Sequence, residues 1–530
     1  MAKIKHPTGR LAELLLIVVA LAMCFLGYFS INVNRTGALP TSFVLHMCVL
    51  GAFALATHLA VRFLAPYADP VLLPAVLALN GIGLVMIYRL DLAYGPDSNL
   101  YVGFKQALFT LIGVILMVVT LAVVRDYRKL RNYTYLSMLL AIVLLLLPLA
   151  PVIGCSLNGA RIWINIGFSI QPSEIAKICL AIFFAGYLTT RREALIQGGK
   201  SLLGMRLPRL RDLGPLLVVW AASIMILVFE RDLGTSLLIF GLFVAMLYVA
   251  TNQTSWLLIG AILFAPAVFL ASRLFSHVQA RIDVWLHALD PEIYSRPIGG
   301  SGQLVSGLFG MADGGILGTG WAQGSPSLTP FANSDFIFAS LGEELGLTGS
   351  LALLTLYLIF VERGMRTALI VRDSFGKLLA TGFAFTIGFQ VFVVVGGLTR
   401  VIPSTGLTLP FVAAGGSSLV ANWVILALLL RLSNEARKPV TTESGVIDTA
   451  ELEAVIARQQ EKRSASLETN TAGNEPPSAS SPAAFVPNPA AAKQPRAARP
   501  LASPPTPGAV RSVRPVPVSY THLRAHETLR

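Results

Sequence analysis

Three carboxylates, Asp335, Glu343 and Glu344, fall in Ser334-Asp-Phe-Ile-Phe-Ala-Ser-Leu-Gly-Glu343-Glu344-Leu-Gly346, where a long glycine-rich segment gives way to an apolar run. An ionised carboxylate near hydrocarbon costs about 2.5 to 3.5 kcal/mol even on the lenient insertion scale, which makes it a candidate for function. Two readings stand side by side. A carboxylate at a water–lipid boundary can act as a general base. Alternatively Asn333, Ser334 or Asp335 caps a helix and the glutamates complement its dipole. Glu174 and Lys177 form a second group, three apart on one helical face just after Pro172. A dipole-matched acid beside a snorkelling lysine is the plain account. A lysine in a first helical turn is dipole-unfavourable, however, and points to another partner. Asp232 sits at a short polar turn between two apolar runs, and Arg161 lies among alternating isoleucines.

These groups need a scaffold, and the composition says which kind. With 530 residues, 54% hydrophobic and only 13% charged, and a mean hydropathy of +0.68, the chain is too apolar for an ordinary soluble enzyme. It reads as an all-α, polytopic membrane protein. The net charge of +13 falls between apolar spans and not along a basic stripe interleaved with aromatics, which excludes a nucleic-acid partner. Cys24, Cys48, Cys155 and Cys179 show no CxxC spacing and the histidines no HExxH, so neither a disulfide scaffold nor a protein-only metal site is implied.

The apolar runs predict twelve spans, near 11–31, 42–63, 70–89, 103–124, 134–153, 174–189, 214–230, 233–250, 255–272, 338–361, 376–398 and 408–431. The first lacks a clear small-residue cleavage site and reads as a retained span, not a signal peptide. Lysine and arginine gather in alternate loops: Arg125, Arg128, Lys129 and Arg131; Arg191, Arg192, Lys200 and Arg206; Arg363, Arg366, Arg372 and Lys377. Cytoplasmic loops collect these residues, so the pattern places both termini in the cytoplasm. Segments 1–66, 67–435 and 436–530 then read as two extra helices, a membrane domain and a disordered Pro/Ala-rich tail. Residues 518–530 do not match the tail's composition and look like a translated adapter sequence.

Two outer loops are more than connectors. In the first, Ile162, Ile164, Ile166, Phe168 and Ile170 alternate with smaller or polar residues, predicting an extended interfacial segment anchored by Trp163. The second runs from about 273 to 337. Val278, Ile282, Trp285, Leu286 and Leu289 share one helical face there, as in an amphipathic helix on the membrane surface. Gly299-Gly-Ser-Gly-Gln303 and the glycines through Gly320 follow, and read as a loop shaping a cleft around a ligand.

Four blocks, taken together, resemble one family. They are Asn158-Gly-Ala-Arg161-Ile-Trp163 through Gln171-Pro-Ser-Glu174-Ile-Ala-Lys177, Asp232-Leu-Gly-Thr-Ser236, Ser334 to Gly346, and Gly406-Leu-Thr-Leu-Pro-Phe-Val-Ala-Ala-Gly-Gly-Ser-Ser418. In this order they resemble the SEDS family, the RodA/FtsW/SpoVE membrane glycosyltransferases of bacterial cell-wall synthesis, over residues 70 to 435. The resemblance implies a ten-helix core with two additional helices before it. It also implies a polymerase of lipid II, the undecaprenyl-pyrophosphate-linked disaccharide pentapeptide, at the outer face of the cytoplasmic membrane. A class B penicillin-binding protein is the implied partner, in elongation or division. The family's essential aspartate matches Asp335. Where the family has His-Thr before it, this chain has Asn333-Ser334, and a Pro-Asp-Leu-Gly turn reads Arg231-Asp-Leu-Gly. These departures resemble actinobacterial RodA-type members.

The expected chemistry is glycosyl transfer from a pyrophosphate donor. Asp335 is expected as the base and Arg161 and Lys177 as pyrophosphate contacts. Glu174 and Asp232 are expected to order the cavity or help hold a divalent cation, Mg2+ or Mn2+, jointly with phosphate oxygens. Gln303, Ser334 and Glu343 complete the candidate substrate-binding set, with Glu343 open between dipole matching and function. A lipid II flippase is the rival reading, since polar groups in an apolar bundle also suit a translocation path. The carboxylates cluster toward one face and no inverted repeat is evident, which favours the enzyme.

Overall fold

The computed structural model describes residues 9–98, 101–151, 153–157, 160–165, 169–197, 201–202, 205–206, 210–296, 299–439, 441–442 and 445–446. The chain divides into one unit through Thr441 and a second from Thr442. Nearly all of the second, including the expected tail and residues 518–530, lies outside the described residues, as do Asn158, Ile166 and Phe168.

The first unit is a bundle of α1 (Gly9–Thr36), α2 (Phe43–Leu64), α3 (Leu72–Tyr94), α4 (Gly103–Val123), α5 (Thr134–Leu146), α6 (Ser173–Gln197), α7 (Leu210–Glu230), α8 (Leu233–Thr251) and α9 (Ser255–Leu274). It continues through α10 (Ser276–Leu286), α11 (Pro291–Tyr294) and α12 (Gly302–Gly314) to α13 (Ile337–Ile370), α14 (Ser374–Leu398) and α15 (Gly416–Arg437). Eleven helices are long and apolar enough to cross a membrane, and Leu217–Glu230 within α7 is a shorter apolar helix. The twelve apolar runs are therefore twelve helices. Helix α6 is buried over 83% of its apolar window and α9 over 6%, so α6, with α3, α14 and α15, forms the interior against which polar groups must be satisfied.

Between α5 and α6 the chain forms β1 (Gly154–Leu157), β2 (Ala160–Asn165) and β3 (Ser169–Ile170), an antiparallel sheet in the order β1-β2-β3 with Cys155 opposite Trp163. The period of two in the sequence is thus a real strand pattern.

Three expectations change. The last span starts at Gly416, not near 408. Residues 401–415 instead enter the bundle as irregular chain, a form tolerated at such depth only where protein satisfies the backbone. Asn80 Nδ2 donates to the Phe411 carbonyl at 3.0 Å, Gln106 Nε2 to Ala413 at 3.0 Å and Gln390 Nε2 to Thr408 at 2.8 Å, while the Tyr357 hydroxyl donates to Pro410. Side chains of α3, α4, α13 and α14 thus stand in for helix hydrogen bonds. A Cβ on Gly83 would lie 2.4 Å from the Val412 carbonyl oxygen, so α3 reaches this segment only because it has a glycine there.

The glycine-rich segment expected as a cleft-shaping loop is largely helix α12. Gly307, Gly310 and Gly314 repeat at i, i+3 and i+7 and so share one face. A Cβ at Gly314 would meet the Gly342 carbonyl oxygen at 2.2 Å, and one at Gly307 the Phe336 ring at 3.0 Å. Glycine here permits close helix packing on the start of α13. Helix α10 is also not simply a surface helix. Val284 and Ala288 bury against Ile293, Leu304 and Val305. Trp285 Nε1 donates to the Arg400 carbonyl at 3.0 Å, and Arg400 returns bonds to the Trp285 carbonyl. Leu286 and Leu289 remain exposed.

Helix α13 is interrupted at Gly346, with φ 69° and ψ −169°. Just before this break Glu344, fully buried, pairs with Arg89 of α3 at 2.7 Å. Removing one partner of a buried pair leaves an uncompensated charge. Arg89→Met is therefore expected to destabilise the protein by about 3 kcal/mol or more, whereas Arg363→Met at the bundle rim costs far less. Thermal unfolding of the two variants in one detergent checks the order.

Candidate functional site

Four segments converge near Asp335: the start of α6, the turn between α7 and α8, helix α10, and the irregular 401–415 segment. Asp335 itself ends the loop preceding α13. That helix has Phe336 at its N-cap position with no side-chain cap bond, so the N-cap position falls to none of Asn333, Ser334 and Asp335. Ser334 is half-buried, and its Oγ donates to the Phe331 carbonyl at 3.5 Å. The loop is held to the 401–415 segment by the Ala414 N–H, which donates to the Asn333 carbonyl at 2.8 Å.

Arg281 of α10 is the cation of this site. Its Nη1 donates to the Ser404 carbonyl at 2.6 Å. A Cβ on Gly406, whose φ is +76°, would stand 3.6 Å from Arg281 Nη2 and 3.8 Å from Asp335 Oδ2. Guanidinium and carboxylate therefore both face a bare glycine, without closing to ion-pair distance. Burial pushes the Asp335 carboxyl up to about 7, with Arg281 pulling it back down. Burial likewise lowers the Arg281 pKa, while Asp232 and Asp335 on either side raise it.

Asp232 is the N-cap of α8, accepting from the Thr235 N–H at 2.9 Å and the Thr235 hydroxyl at 2.7 Å. Gln171 Nε2 donates at 3.3 Å to Oδ2, the same oxygen that takes the Thr235 hydroxyl. Burial raises the Asp232 pKa, the Thr235 bonds lower it, Glu174 raises it and Arg281 lowers it. Asp232 thus stands electrostatically between the α6 pair and Arg281.

Glu174 and Lys177 form that pair as a buried salt bridge. Lys177 is 2% exposed and does not snorkel. Its Nζ donates to Gln390 Oε1 of α14 at 3.1 Å and Asn422 Oδ1 of α15 at 3.4 Å. These are the further partners that its unfavourable place in a first turn called for.

The remaining predicted residues lie apart. Arg161 is on β2, half-buried, and among the described residues no hydrogen bond or ion pair ties it to Asp335, Glu174 or Asp232. Gln303 is exposed in the first turn of α12. Glu343 is buried and accepts from the Ser325 N–H at 2.5 Å, while Glu344 accepts from Ala322 N–H at 3.1 Å in addition to its pairing with Arg89. These two glutamates pin the 315–325 loop, a role that neither dipole matching nor substrate contact anticipates. Sequence reading missed Arg281, Gln390, Asn422 and the Gly406 cradle. A signal for Arg281 exists: a basic residue in a loop on the side where the positive-inside pattern leaves few. Among the described residues no group of three His, Cys, Asp or Glu side chains could hold a metal ion.

The fold and site together define a multi-pass helical membrane protein with a half-buried carboxylate and guanidinium beside an irregular intrabundle segment. The chain belongs to the FtsW/RodA/SpoVE family, whose model, described as cell cycle protein, matches residues 70–438. Peptidoglycan glycosyltransferase RodA of Mycobacterium tuberculosis (strain ATCC 25618 / H37Rv) is 46% identical over 448 residues, covering 82% of this chain and 93% of that protein. Stage V sporulation protein E of Bacillus subtilis (strain 168) is 32% identical over 379 residues, covering 70% and 98%. A solved structure, described as structural coordination of polymerization and crosslinking by a peptidoglycan synthase complex, matches with a TM-score of 0.57. It is 28% identical and covers 70% of this chain and 99% of that one.

A carboxyl whose pKa rises on folding binds its proton more tightly in the native state, so ionisation costs stability. For Asp335 that cost is absent below the ordinary carboxylate pKa near 3.8, grows as pH rises toward about 7, and is complete above it. Asp335→Asn is therefore expected to unfold at a higher temperature than the parent at pH 8. The gap should close toward pH 4, and thermal scans across that range check it.

Proposed function

We propose that this chain is a peptidoglycan glycosyltransferase that polymerises lipid II into glycan strands at the outer face of the bacterial cytoplasmic membrane. The observation that carries the reading is the half-buried Asp335 carboxyl, titrating near neutrality beside Arg281 in a chain 46% identical to proteins named peptidoglycan glycosyltransferase RodA. A base whose pKa lies near the working pH combines a useful fraction of its ionised form with real proton affinity.

In the proposed reaction the acceptor sugar's hydroxyl oxygen attacks the donor's anomeric carbon. The bond from that carbon to the pyrophosphate oxygen breaks, its electron pair leaves with the pyrophosphate, and the hydroxyl proton passes to Asp335. The leaving group is already anionic and needs no strong general acid. What it needs is positive charge in place beforehand. Arg281, held by the Ser404 carbonyl, is placed to supply it, and Lys177 extends positive charge into the bundle on the far side of Asp232. Asp232 and Glu174 set the charge around these cations. Mg2+ or Mn2+, if used, would rest mainly on the substrate's phosphate oxygens with Asp232 as the protein carboxylate nearest to hand, and would neutralise developing charge there. The proposed topology has both termini in the cytoplasm. The proposed partner is a class B penicillin-binding protein that cross-links the product, consistent with the solved complex that the fold matches.

Purified protein supplied with lipid II is expected to make glycan chains, and Asp335→Asn to slow this by about 10² to 10⁴-fold. An unchanged rate would overturn the assignment of the base, and lipid movement without chains would point to a flippase. The rate should rise with pH through about 7 as Asp335 ionises. Arg281→Met removes the cation that holds this pKa down, so its rising limb should move to higher pH; an unmoved limb in an active variant excludes Arg281 as the partner of Asp335. Chelation followed by Mn2+ addition is expected to lower and then restore the rate, and indifference to both would remove the cation from the scheme.

A further inference from the structure

Helix α1 lies outside residues 70–438, the part that the family model matches, yet it forms one wall of the seat for the loop leading to Asp335. Asn34 Nδ2 donates to the Trp321 carbonyl at 2.8 Å. A Cβ on Gly27 would stand 3.0 Å from Val85 Cγ1 and 3.4 Å from Cε2 and Cζ2 of Trp321, so the indole rests on bare α1 backbone. Trp321 and Ala322 pack against a buried cluster that includes Cys24, Tyr28 and Val85. Helix α1 is itself fixed at this level. The Tyr28 hydroxyl lies 2.6 Å from His46 Nδ1 of α2, the Tyr88 hydroxyl of α3 donates to Asn32 at 2.9 Å, and Arg35 donates to the Leu92 carbonyl at 2.6 Å.

The residue after Trp321 shows why the loop needs this wall. Ala322 has φ +64°, a left-handed conformation that a residue with a side chain holds only when its surroundings over-determine it. From the other side the same loop is held by Glu344 at the Ala322 N–H, by Glu343 at the Ser325 N–H and by Arg89 Nη2 at the Gly324 carbonyl, 2.8 Å away. Beyond Ser325 the chain makes one 3-10 turn, Pro326–Leu328, and reaches Asp335 through the buried Thr329 and Ala332.

We propose that α1 is a positioning element for the catalytic loop: Asn34 and Gly27 clamp Trp321 against the α13 glutamates and so fix where Asp335 is delivered. The catalytic half of this inference rests on Asp335 acting as the base. The structural half does not, and it is read without turnover.

Hydrogen–deuterium exchange on the full-length protein in detergent tests it, with Asn34→Ala and Gly27→Leu as variants. Amide exchange across residues 319–325 is expected to quicken by about fivefold or more in both, while α14 stays protected. The rate of lipid II polymerisation should fall about fivefold in kcat with KM within about twofold, because a displaced base affects the chemical step more than ground-state binding. Asn34→Gln, which keeps the amide donor, should recover most of both. Unchanged exchange of the loop with α14 still protected overturns the proposal. An active Asp335→Asn, by contrast, removes the base assignment and leaves the clamp to be judged by exchange alone.

Discussion

A carboxylate buried beside hydrocarbon has to be met by a cation or by aimed N–H groups, and this fold is arranged around meeting that demand to different degrees. Glu344 is met twice, by Arg89 at 2.7 Å and by the Ala322 N–H, and Glu174 is met by Lys177. Asp232 is met by Thr235 and Gln171. Asp335 is placed near Arg281, but that guanidinium is divided between Asp335, Asp232 and the Ser404 carbonyl. It therefore offsets only part of the cost of burial, which pushes the carboxyl up to about 7. Close partnering separates Glu344, Glu174 and Asp232, which hold the structure, from Asp335, which is left able to take a proton.

The 401–415 segment makes this gradation possible. Being irregular, it exposes carbonyls and a positive-φ glycine inside the bundle, where a continuous helix would have consumed the carbonyls and added side chains. Ser404 orients Arg281, Gly406 leaves open the space that the guanidinium and the Asp335 carboxylate both face, Thr408 fixes Gln390, and Gln390 in turn receives Lys177. One short piece of non-helical chain thus connects the α6 pair to the Asp335 centre. Its cost is the set of free backbone groups it creates, which Asn80, Gln106 and Tyr357 answer from three different helices. Polar residues on α3, α4 and α13 that make no contact with the site are thereby explained.

Parts of this were legible in the chain. Eleven of the twelve apolar runs became helices long and apolar enough to span, and the twelfth a shorter apolar helix, because length and hydropathy suffice to specify a spanning helix. The alternation around Arg161 became a strand, and the misfit of Lys177 in a first helical turn correctly announced buried partners. Other parts were not. The glycines from Gly307 to Gly314 read as a loop because their propensity opposes helix, and the close approach of α13, which rewards their missing side chains, is invisible locally. The 408–415 stretch read as helix because it is apolar, although Gly406, Pro410 and Gly415 marked the break. Glu343 read as a substrate contact or a dipole match, yet its bond is to the Ser325 N–H, a partner chosen by the path of the intervening loop.

The sequence by itself determined the class of molecule, the places of the apolar helices and the family, because hydropathy, charge placement and short motifs are local properties. It also singled out Asp335, since an acid at the mouth of an apolar run is costly wherever the chain goes. Only the tertiary structure decided which acids are closely partnered and which are not. That depends on distances between α3, α6, α8, α10 and α13, elements distant in sequence, and on a cation, Arg281, whose significance exists only where α10 meets the Gly406 turn.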